Sequence, residues 1–409
     1  MQIYVPLLVT LAWRNLWRHV RRTLLILFAL ALGVWSMVTL AALTRGSMEQ
    51  QLTSAFANLI GHIQIHLPGY RDDPVIDHRF AEPAGALRDA LDAPDILAWA
   101  ARVRVPAVVS SEQESAGITL VGIDPARERG LSFLANAVKE GRMLMDADDP
   151  GIVLGRKLAE RLETALGRRV VILSQDSANK IADRGFRVVG IFDSQPEMIE
   201  TAYVFIGLAQ AQRLLRMPGA VSEIGLIAPD RNRLDAPLDR LRAAAPQLDV
   251  QPWTQIEPTL KLTESVTDVI LMIWYVIVFV AMSFGLVNTL LMAVFERTRE
   301  FGLFQALGMP PSQILGQVLV ESLFLLAVGL ALGNLLAFAT LAATADGIDL
   351  SAFAKGFEMI GVSPMLYPML KFDDALSANL LVFVLGLAAS LYPAWRAARY
   401  VPVEAITRT

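Results

Sequence analysis

The residues of this sequence whose types and spacing suggest chemistry begin with two histidines. His62 and His66 stand four apart in a run that alternates apolar and polar side chains, so in a β-strand both lie on one face. With Asp72, Asp73 and His78 close by in sequence, they could supply ligands to a metal ion. The polar face of a half-buried strand explains the same pattern, and we predict that arrangement and no metal site.

Signatures of the common catalytic and nucleotide-binding sites are missing from the sequence. The chain has no cysteine, which excludes disulfides, thiolate zinc sites and cysteine nucleophiles. No lysine follows a glycine, so there is no Walker A loop, and neither H-E-x-x-H nor G-x-S-x-G occurs. The sequence therefore predicts a non-catalytic chain that binds no cofactor of its own.

The polar side chains within the long apolar runs include Glu321, Asn288 and Asn334. Glu321 could carry a proton through a membrane, but it stands near the end of its run, where snorkelling or pairing is the better interpretation. Asn288 and Asn334 are interpreted as interhelical hydrogen-bond partners. Because no series of ionisable groups crosses the apolar runs, we predict no path for a charged solute through the helices.

The hydropathy of the chain is that of a membrane protein. Of 409 residues, 54% are hydrophobic, and the mean hydropathy is +0.46. A bilayer core needs roughly 20 apolar helical residues, and we predict transmembrane helices at 23–44, 265–295, 312–345 and 375–395. The first run could also be a cleavable signal peptide, but its apolar core is too long for one.

The placement of arginine predicts the orientation of these helices. Arginines precede the first run, lie between the second and third, and follow the fourth, whereas acidic residues flank the other connections. They are Arg14, Arg18, Arg21, Arg22, Arg297, Arg299, Arg396, Arg399 and Arg408. We therefore predict cytoplasmic segments at 1–22, 296–311 and 396–409, with both termini cytoplasmic, and external segments at 45–264 and 346–374.

The long external segment has the pattern of a mixed α+β domain. Its predicted strands are 61–66, 102–110, 117–123, 151–154, 169–174, 186–192, 203–206, 223–228 and 248–253, and its predicted helices are 83–91, 156–166, 208–215 and 234–245. The segments 47–59 and 258–267 are predicted to extend the first and second transmembrane helices outward as stalks. Movement of either stalk would then be felt in the domain.

Two cytoplasmic segments have amphipathic patterns. In residues 11–22, Trp13 and Trp17 share a helical face, which suits either a helix in the membrane interface or a plain continuation of the first helix. In the middle loop, charged residues border an apolar stripe, Gly308 ends the helix, and Pro310 and Pro311 restart the chain. This loop suits docking into a groove on a soluble partner, although a plain interfacial loop would have the same pattern.

The same loop carries a resemblance to a known family. The sequence Glu-Arg-Thr-Arg-Glu-Phe-Gly-Leu-Phe-Gln-Ala-Leu-Gly, residues 296–308, resembles the corresponding loop of the FtsX/MacB/LolC-LolE class of ABC transporter permeases. Residues 393–406 resemble the tail of these permeases, and residues 151–162 and 186–192 resemble their external domain. The layout is most similar to the lipoprotein-releasing LolC/LolE permeases. The resemblance implies an α-helical membrane protein with four transmembrane helices and a large periplasmic α+β domain between helices 1 and 2.

The resemblance also implies roles for particular residues. The middle loop would be the coupling helix that sits on an ABC ATPase dimer, and the outer ends of the first two helices would line a substrate cleft. The implied ATPase contacts are Glu296, Arg297, Arg299, Glu300, Phe301, Phe304 and Leu307, and the cleft positions are Val38, Leu43, Met48, Leu262, Val266 and Ile270. MacB carries its ATPase domain at its own N-terminus, whereas only about 22 residues precede the first helix here. ATP and Mg²⁺ are therefore expected on a separate ATPase.

The function implied is mechanotransmission in the bacterial inner membrane. ATP binding would move the stalks and extract lipoproteins or another amphiphilic substrate from the membrane. Expected partners are the ATPase dimer, a second permease subunit in a homo- or heterodimer, membrane lipid and a periplasmic lipoprotein carrier, but no nucleic acid. Alternatives are MacB-like export of periplasmic peptides or drugs, an FtsX-like scaffold that regulates a cell-wall hydrolase, and a receptor without an ATPase.

Overall fold

The computed structural model describes residues 5–194, 197–349 and 365–399. These residues divide into a helical unit, made of 5–49, 264–349 and 365–399, and an α+β unit, made of 50–194 and 197–263. The helices are α1 Val5–Leu16, α2 Val20–Ala55, α3 Gly85–Leu91, α4 Pro125–Glu128, α5 Leu134–Ala137, α6 Arg156–Arg161, α7 Glu197–Ala202, α8 Leu208–Leu214, α9 Asp235–Ala244, α10 Trp253–Ile256, α11 Pro258–Glu296, α12 Thr298–Ala306, α13 Pro311–Ala343 and α14 Phe372–Ala398. The strands are β1 Ile63–His66, β2 Phe80–Ala81, β3 Ala98–Ser110, β4 Ser115–Ile123, β5 Val138–Gly141, β6 Gly151–Gly155, β7 Arg169–Gln175, β8 Ile181–Phe192, β9 Tyr203–Gly207, β10 Ala220–Val221, β11 Glu223–Ile227, β12 Asp249–Pro252, β13 Ile348–Asp349 and β14 Met365–Leu366.

Four helices among the described residues are long and apolar enough to cross a membrane: α2, α11, α13 and α14. The α+β unit lies between α2 and α11 in the chain, as the predicted fold class requires. Both α2 and α11 extend beyond the predicted spans toward this unit, α2 to Ala55 and α11 from Pro258. Much of the segment 346–374, which is predicted to be external, lies outside the described residues, namely residues 350–364.

The segment before α2 is a separate helix, so the interpretation as a plain continuation is wrong. Helix α1 ends at Leu16, and the turn Trp17–His19 separates it from α2. The Thr23 hydroxyl donates to the Leu16 carbonyl over 2.5 Å, which satisfies one of the carbonyls left open at the end of α1. The rings of Trp13 and Trp17 meet edge to face with centroids 5.9 Å apart.

The long helices pack closely where glycine removes a side chain. A Cβ atom at Gly329 would lie 2.7 Å from the Leu30 Cβ, and one at Gly333 would lie 2.6 Å from the Val34 Cβ. These glycines stand four apart on α13, so their shared face meets α2 with the spacing of a small-xxx-small contact. The sequence analysis did not identify this pair.

A polar pair joins α13 to α14. The Asn334 amide donates to the Asn379 oxygen over 2.6 Å, and the Asn379 amide donates back over 3.1 Å. The predicted interhelical role of Asn334 is therefore confirmed. Asn288 instead lies exposed on α11.

The centre of the α+β unit is a closed ring of six strands. In order around the ring they are β3, β4, β9, β6, β8 and β7, and β7 pairs with both β8 and β3 to close it. Alternate residues of β3, Val103, Val105, Ala107 and Val109, are buried in one apolar cluster with residues of the other strands. The period-two alternation of the sequence therefore buries one face of this closed ring of strands, or barrel, together with side chains of α6 and α8.

A three-strand extension continues from the barrel. The long strand β3 pairs with β11 through residues 98–102 and with β7 through residues 108–110. Beyond β11 come β1 and then β12, all antiparallel. All nine predicted strands and all four predicted helices of this unit are present. The largest shifts are at β8, which begins at Ile181 and not at 186, and at α6, which ends at Arg161 and not at 166. The elements that were not predicted, such as β5 with its sequence Val-Lys-Glu-Gly, lack an apolar period.

The two histidines singled out in the sequence have separate structural surroundings. His62 packs edge to face against Phe56, with centroids 4.8 Å apart, and its Nδ1 accepts from the Ala228 N–H over 3.1 Å. His66 is buried, stacks on Tyr70, and its Nε2 lies 3.0 Å from the Gln64 Oε1. Within the described ranges, no group of three or more His, Asp or Glu side chains is arranged to hold a metal.

Burial of His66 predicts a pH dependence of stability. Burial lowers the pKa of the His66 ring, because a charged imidazole is disfavoured there. A histidine whose folded-state pKa is depressed destabilises the fold as pH falls below its unfolded-state pKa of about 6.5. We expect the unfolding temperature of the full chain in detergent to fall between about pH 7 and about pH 5, and His66→Gln to reduce that fall. An unchanged slope in His66→Gln would show that other groups cause it.

Candidate functional site: helix α12 and its supports

The middle loop folds as a short helix between two long ones. Helix α11 ends at Glu296, Arg297 has non-helical dihedral angles, and the nine-residue α12 follows. Gly308 has a φ of +92°, a conformation that favours glycine, and Pro311 is the first residue of α13. The predicted end at Gly308 and restart at the prolines are therefore present.

One side of α12 is anchored in an apolar cluster. Phe301 is fully buried among Val294, Ile314, Val318, Ala394 and Ala397, and Phe304 is partly buried against the same cluster. These two aromatic residues were predicted to contact a partner. In the structure, both lie on the side of α12 that packs against α11, α13 and α14.

The polar support of α12 centres on Arg297 and Glu321. Arg297 Nη1 donates to both Glu321 oxygens over 2.8 and 3.0 Å, and Arg297 Nε donates to Glu300 over 3.1 Å. The Asn15 amide of α1 donates to the same Glu321 carboxylate over 2.9 Å. Glu321 is therefore a paired glutamate, as predicted, and it connects α1 and the α11–α12 junction to α13.

The segment around α1 adds further ion pairs. Arg18 Nη1 donates to Glu300 and Arg22 Nη1 to Glu296, each over 2.5 Å. Burial alone would raise the pKa of Glu300, but the hydrogen bonds from Arg18 and Arg297 lower it below its ordinary value. The turn after α1 and the start of α12 are thus fastened to each other by charge.

The exposed face of α12 differs from the predicted contact set. Glu296, Arg299 and Leu307 are exposed and Glu300 is half-buried, whereas Arg297 lies inside with the two aromatic residues. The prediction omitted Leu303, whose exposed fraction is 52%, compared with 77% for Leu307. Arg299, Leu303 and Leu307 stand four apart and so share a face. This spacing of four could have identified Leu303 as part of the exposed face from the sequence.

The end of α14 packs beside α12. The Gln305 amide donates to the Ala398 carbonyl over 3.4 Å, and the Arg396 guanidinium lies 5.1 Å from the centre of the Phe295 ring. Residues 400–409 of the predicted tail lie outside the described residues.

The predicted cleft residues do not share one environment. Val38 and Met48 are buried in the helical unit and Leu43 is half-buried, so on this chain Val38 and Met48 belong to the core. By contrast, Leu262, Val266 and Ile270 stand four apart on α11 and are all exposed. The cleft itself stays a prediction.

A charged contact joins three helices at the other end of the helical unit. Arg45 of α2 donates to both Asp374 oxygens over 2.7 and 2.8 Å, and its Nη1 lies 2.6 Å from Asp268 of α11. Asp374 belongs to the first turn of α14. Each of these residues stands near an end of a predicted membrane span, and no local pattern in the sequence pairs them.

Comparison with known families accounts for most of the chain. The family model of the MacB-like periplasmic core domain matches residues 23–244, and that of the FtsX-like permease C-terminal matches residues 272–402. The first match begins in α2 and covers the α+β unit as far as residue 244, and the second covers most of α11 together with α12, α13 and α14.

Individual relatives are similar over nearly the full chain. The lipoprotein-releasing system transmembrane protein LolC of Xylella fastidiosa strain 9a5c is 25% identical over 93% of this chain and 92% of its own length. The pyoverdine export ATP-binding/permease protein PvdT of Pseudomonas aeruginosa is 26% identical over 97% of this chain but 58% of its own length. The periplasmic region of MacB from Actinobacillus actinomycetemcomitans aligns at 14% identity with a TM-score of 0.35, covering 49% of this chain and 92% of that structure.

Proposed function

The chain belongs to the FtsX/MacB/LolC-LolE class of ABC transporter permeases. We therefore propose that ATP hydrolysis on a separate partner subunit drives the transport function of this chain on the outer side of the membrane. The observation that carries this proposal is the way α12 packs: one side is buried and the other is exposed. One side of this helix is fixed by Phe301 in the apolar cluster, and its exposed side presents Leu303 and Leu307. Two apolar side chains on a rigid helix are suited to a groove on a soluble protein.

The arrangement of charge supports an orientation. Arg18, Arg22 and Arg297 lie at one end of the helical unit, around α12 and the end of α14. By the positive-inside rule, this end faces the cytoplasm, where an ATPase dimer would meet α12. We propose a multi-pass protein of the bacterial inner membrane with both termini cytoplasmic and the α+β unit in the periplasm.

The proposed cargo is a lipoprotein or another amphiphilic substrate of the inner membrane. The similarity to LolC extends over 92% of that relative and supports this cargo. The relatives named for pyoverdine and macrolide export fit the alternative, export of a periplasmic small molecule or peptide, equally well. A second permease subunit and a periplasmic carrier complete the proposed system, and a scaffold that regulates a cell-wall hydrolase is a further alternative.

Co-purification tests the proposal through the exposed face of α12. Tagged protein is purified in mild detergent, and bound proteins are identified by mass spectrometry. We expect an ATPase with a Walker A loop to accompany the wild type and to be lost with Leu303→Asp combined with Leu307→Asp. Both leucines are exposed, so these changes leave the buried cluster intact. Changes at Glu300 or Phe304 would instead disturb the supports of α12.

Ile181→Asp is the matched control, because Ile181 is a strongly exposed apolar residue of the α+β unit. This variant is expected to keep the ATPase. If no ATPase accompanies folded wild-type protein, the transporter proposal fails and a receptor or scaffold takes its place. The same eluate distinguishes the cargoes: acylated lipoproteins support lipoprotein release, an export adaptor supports the alternative, and a hydrolase supports the scaffold.

A further inference from the structure

The α+β unit contains a buried ionic cluster that the proposed function does not use. Arg102 of β3 has an exposed fraction of 1%, and its Nε and Nη2 donate to the two Glu128 oxygens over 2.6 and 3.0 Å. Its Nη1 donates to Glu223 of β11 over 3.2 Å. The carboxylates offset the cost of burying the guanidinium, but well-packed apolar residues would stabilise the same space as well or better. The cluster therefore calls for a reason beyond stability.

The same guanidinium reaches the point where the first stalk helix ends. Helix α2 ends at Ala55 and continues as a wider turn through Phe56–Ile60, in which Leu59 has a φ of +74°. Arg102 Nη1 donates to the Leu59 carbonyl over 2.9 Å. Carbonyls at the end of a helix have no partner within the helix, so Arg102 supplies one from the sheet.

Gln64 of β1 completes this contact. Its amide donates to the carbonyls of Leu59 and Ile60 over 3.0 and 2.8 Å. The Leu59 side chain is buried in the apolar cluster that contains Phe192 and Phe205. The end of the stalk is thus held by two donors on its carbonyls and by packing of its side chain.

The segment that leads into α11 is fastened in the same way. The Arg71 guanidinium donates to the Gln255 and Ile256 carbonyls over 3.3 and 2.5 Å. The Trp253 N–H donates to the His62 carbonyl over 2.9 Å, and the Trp253 and Phe56 rings meet edge to face with centroids 5.4 Å apart. Strands β1 and β12 are neighbours. The segment that follows α2 and the segment that precedes α11 are therefore attached to the same pair of strands.

We propose that Arg102 is a positioning residue that fixes the end of the first stalk helix rigidly to the β-sheet, so that both stalks displace the α+β unit as one body. The Arg102 guanidinium is a charged group with several donors in a fixed plane, so its hydrogen bonds have defined directions. Apolar packing does not define direction in this way. The inference rests on the proposed function only for the source of the movement, because the attachment itself requires no partner.

Spin-label distances test the attachment in the full chain. The chain has no cysteine, so two introduced cysteines can be labelled without background. One label is placed at Ser54 on α2 and the other at Gln113 in the turn between β3 and β4, both exposed. We expect a single narrow distance peak in the wild type and a broad distribution in Arg102→Lys, because an amine cannot reach Glu128 and the Leu59 carbonyl together.

Gln64→Leu serves as the second variant in case Arg102→Lys fails to fold, since it removes a donor from the same carbonyl without exposing a buried charge. Arg156→Lys is the matched control, because Arg156 pairs with Glu140 and Asp193 at the surface of the same unit. The control is expected to keep the narrow peak. A narrow peak in folded Arg102→Lys and in Gln64→Leu would overturn the inference. No ATPase is present in the spin-label experiment. A result against the Arg102 attachment would therefore leave the co-purification result unchanged, and the absence of a co-purified ATPase would leave the spin-label result unchanged.

Discussion

Arg297→Met is expected to lower the free energy of unfolding by about 3–5 kcal/mol, the range found when one partner of a buried ion pair is removed. The exposed fractions of the Arg297 and Glu321 side chains are 9% and 13%. Without Arg297, the donors that remain to the Glu321 carboxylate among the described residues are the amides of Asn15 and Gln317, at 2.9 and 3.4 Å. The loss is measured by titrating SDS into detergent micelles and following tryptophan fluorescence.

The double variant Arg297→Met with Glu321→Leu separates loss of the pair from loss of packing. It is expected to recover most of the stability, because neither charge is then left buried alone. Arg18→Met is the control: the Arg18 side chain is 59% exposed, and an exposed pair contributes less than about 1 kcal/mol. If Arg297→Met costs no more than Arg18→Met, the ion pair does not support α12.

Gly329→Ala combined with Gly333→Ala is expected to separate α2 from α13. The added Cβ atoms would lie 2.7 Å from the Leu30 Cβ and 2.6 Å from the Val34 Cβ, closer than van der Waals contact allows. Overpacking costs roughly 1–3 kcal/mol at each site. The same SDS titration measures the loss.

Gly316→Ala is the matched control on the same helix, because a Cβ atom at Gly316 meets nothing within 4 Å. Alanine is the better helix former, so this control is expected to be neutral or to gain up to about 1 kcal/mol. Equal effects of the control and the double variant would show that helix propensity, and not contact between α2 and α13, determines the result.

The features that sequence predicted well are those that depend on local periodicity. The apolar runs identify α2, α11, α13 and α14, because a helix that crosses the bilayer core needs about 20 apolar residues. Alternation identifies β3 and β4, because burial of one face of a strand gives a period of two. The helix of the middle loop could be predicted from its apolar stripe, and its end from Gly308 and the two prolines, but the break at Arg297 between α11 and α12 was not predicted.

The features that sequence missed depend on contacts between distant residues. Phe301 and Leu303 are both apolar residues of α12, and only the fold shows that Phe301 is inside and Leu303 outside. Likewise, Arg45 and Asp374 are separated by most of the chain, and nothing local pairs them. Closure of the barrel by β7 and β3 is a long-range pairing of the same kind.

The pairing of β1 with β12 has a consequence for biosynthesis. Strand β1 comes soon after α2, whereas its neighbours β11 and β12 end only at residues 227 and 252, and β12 lies just before α11. A ribosome that makes the chain from its N-terminus thus delivers the first transmembrane helix long before the partners of β1 exist. An unpaired strand edge exposed for that time is open to mispairing with other chains. The sheet can be completed only when translation has reached the start of the second transmembrane helix.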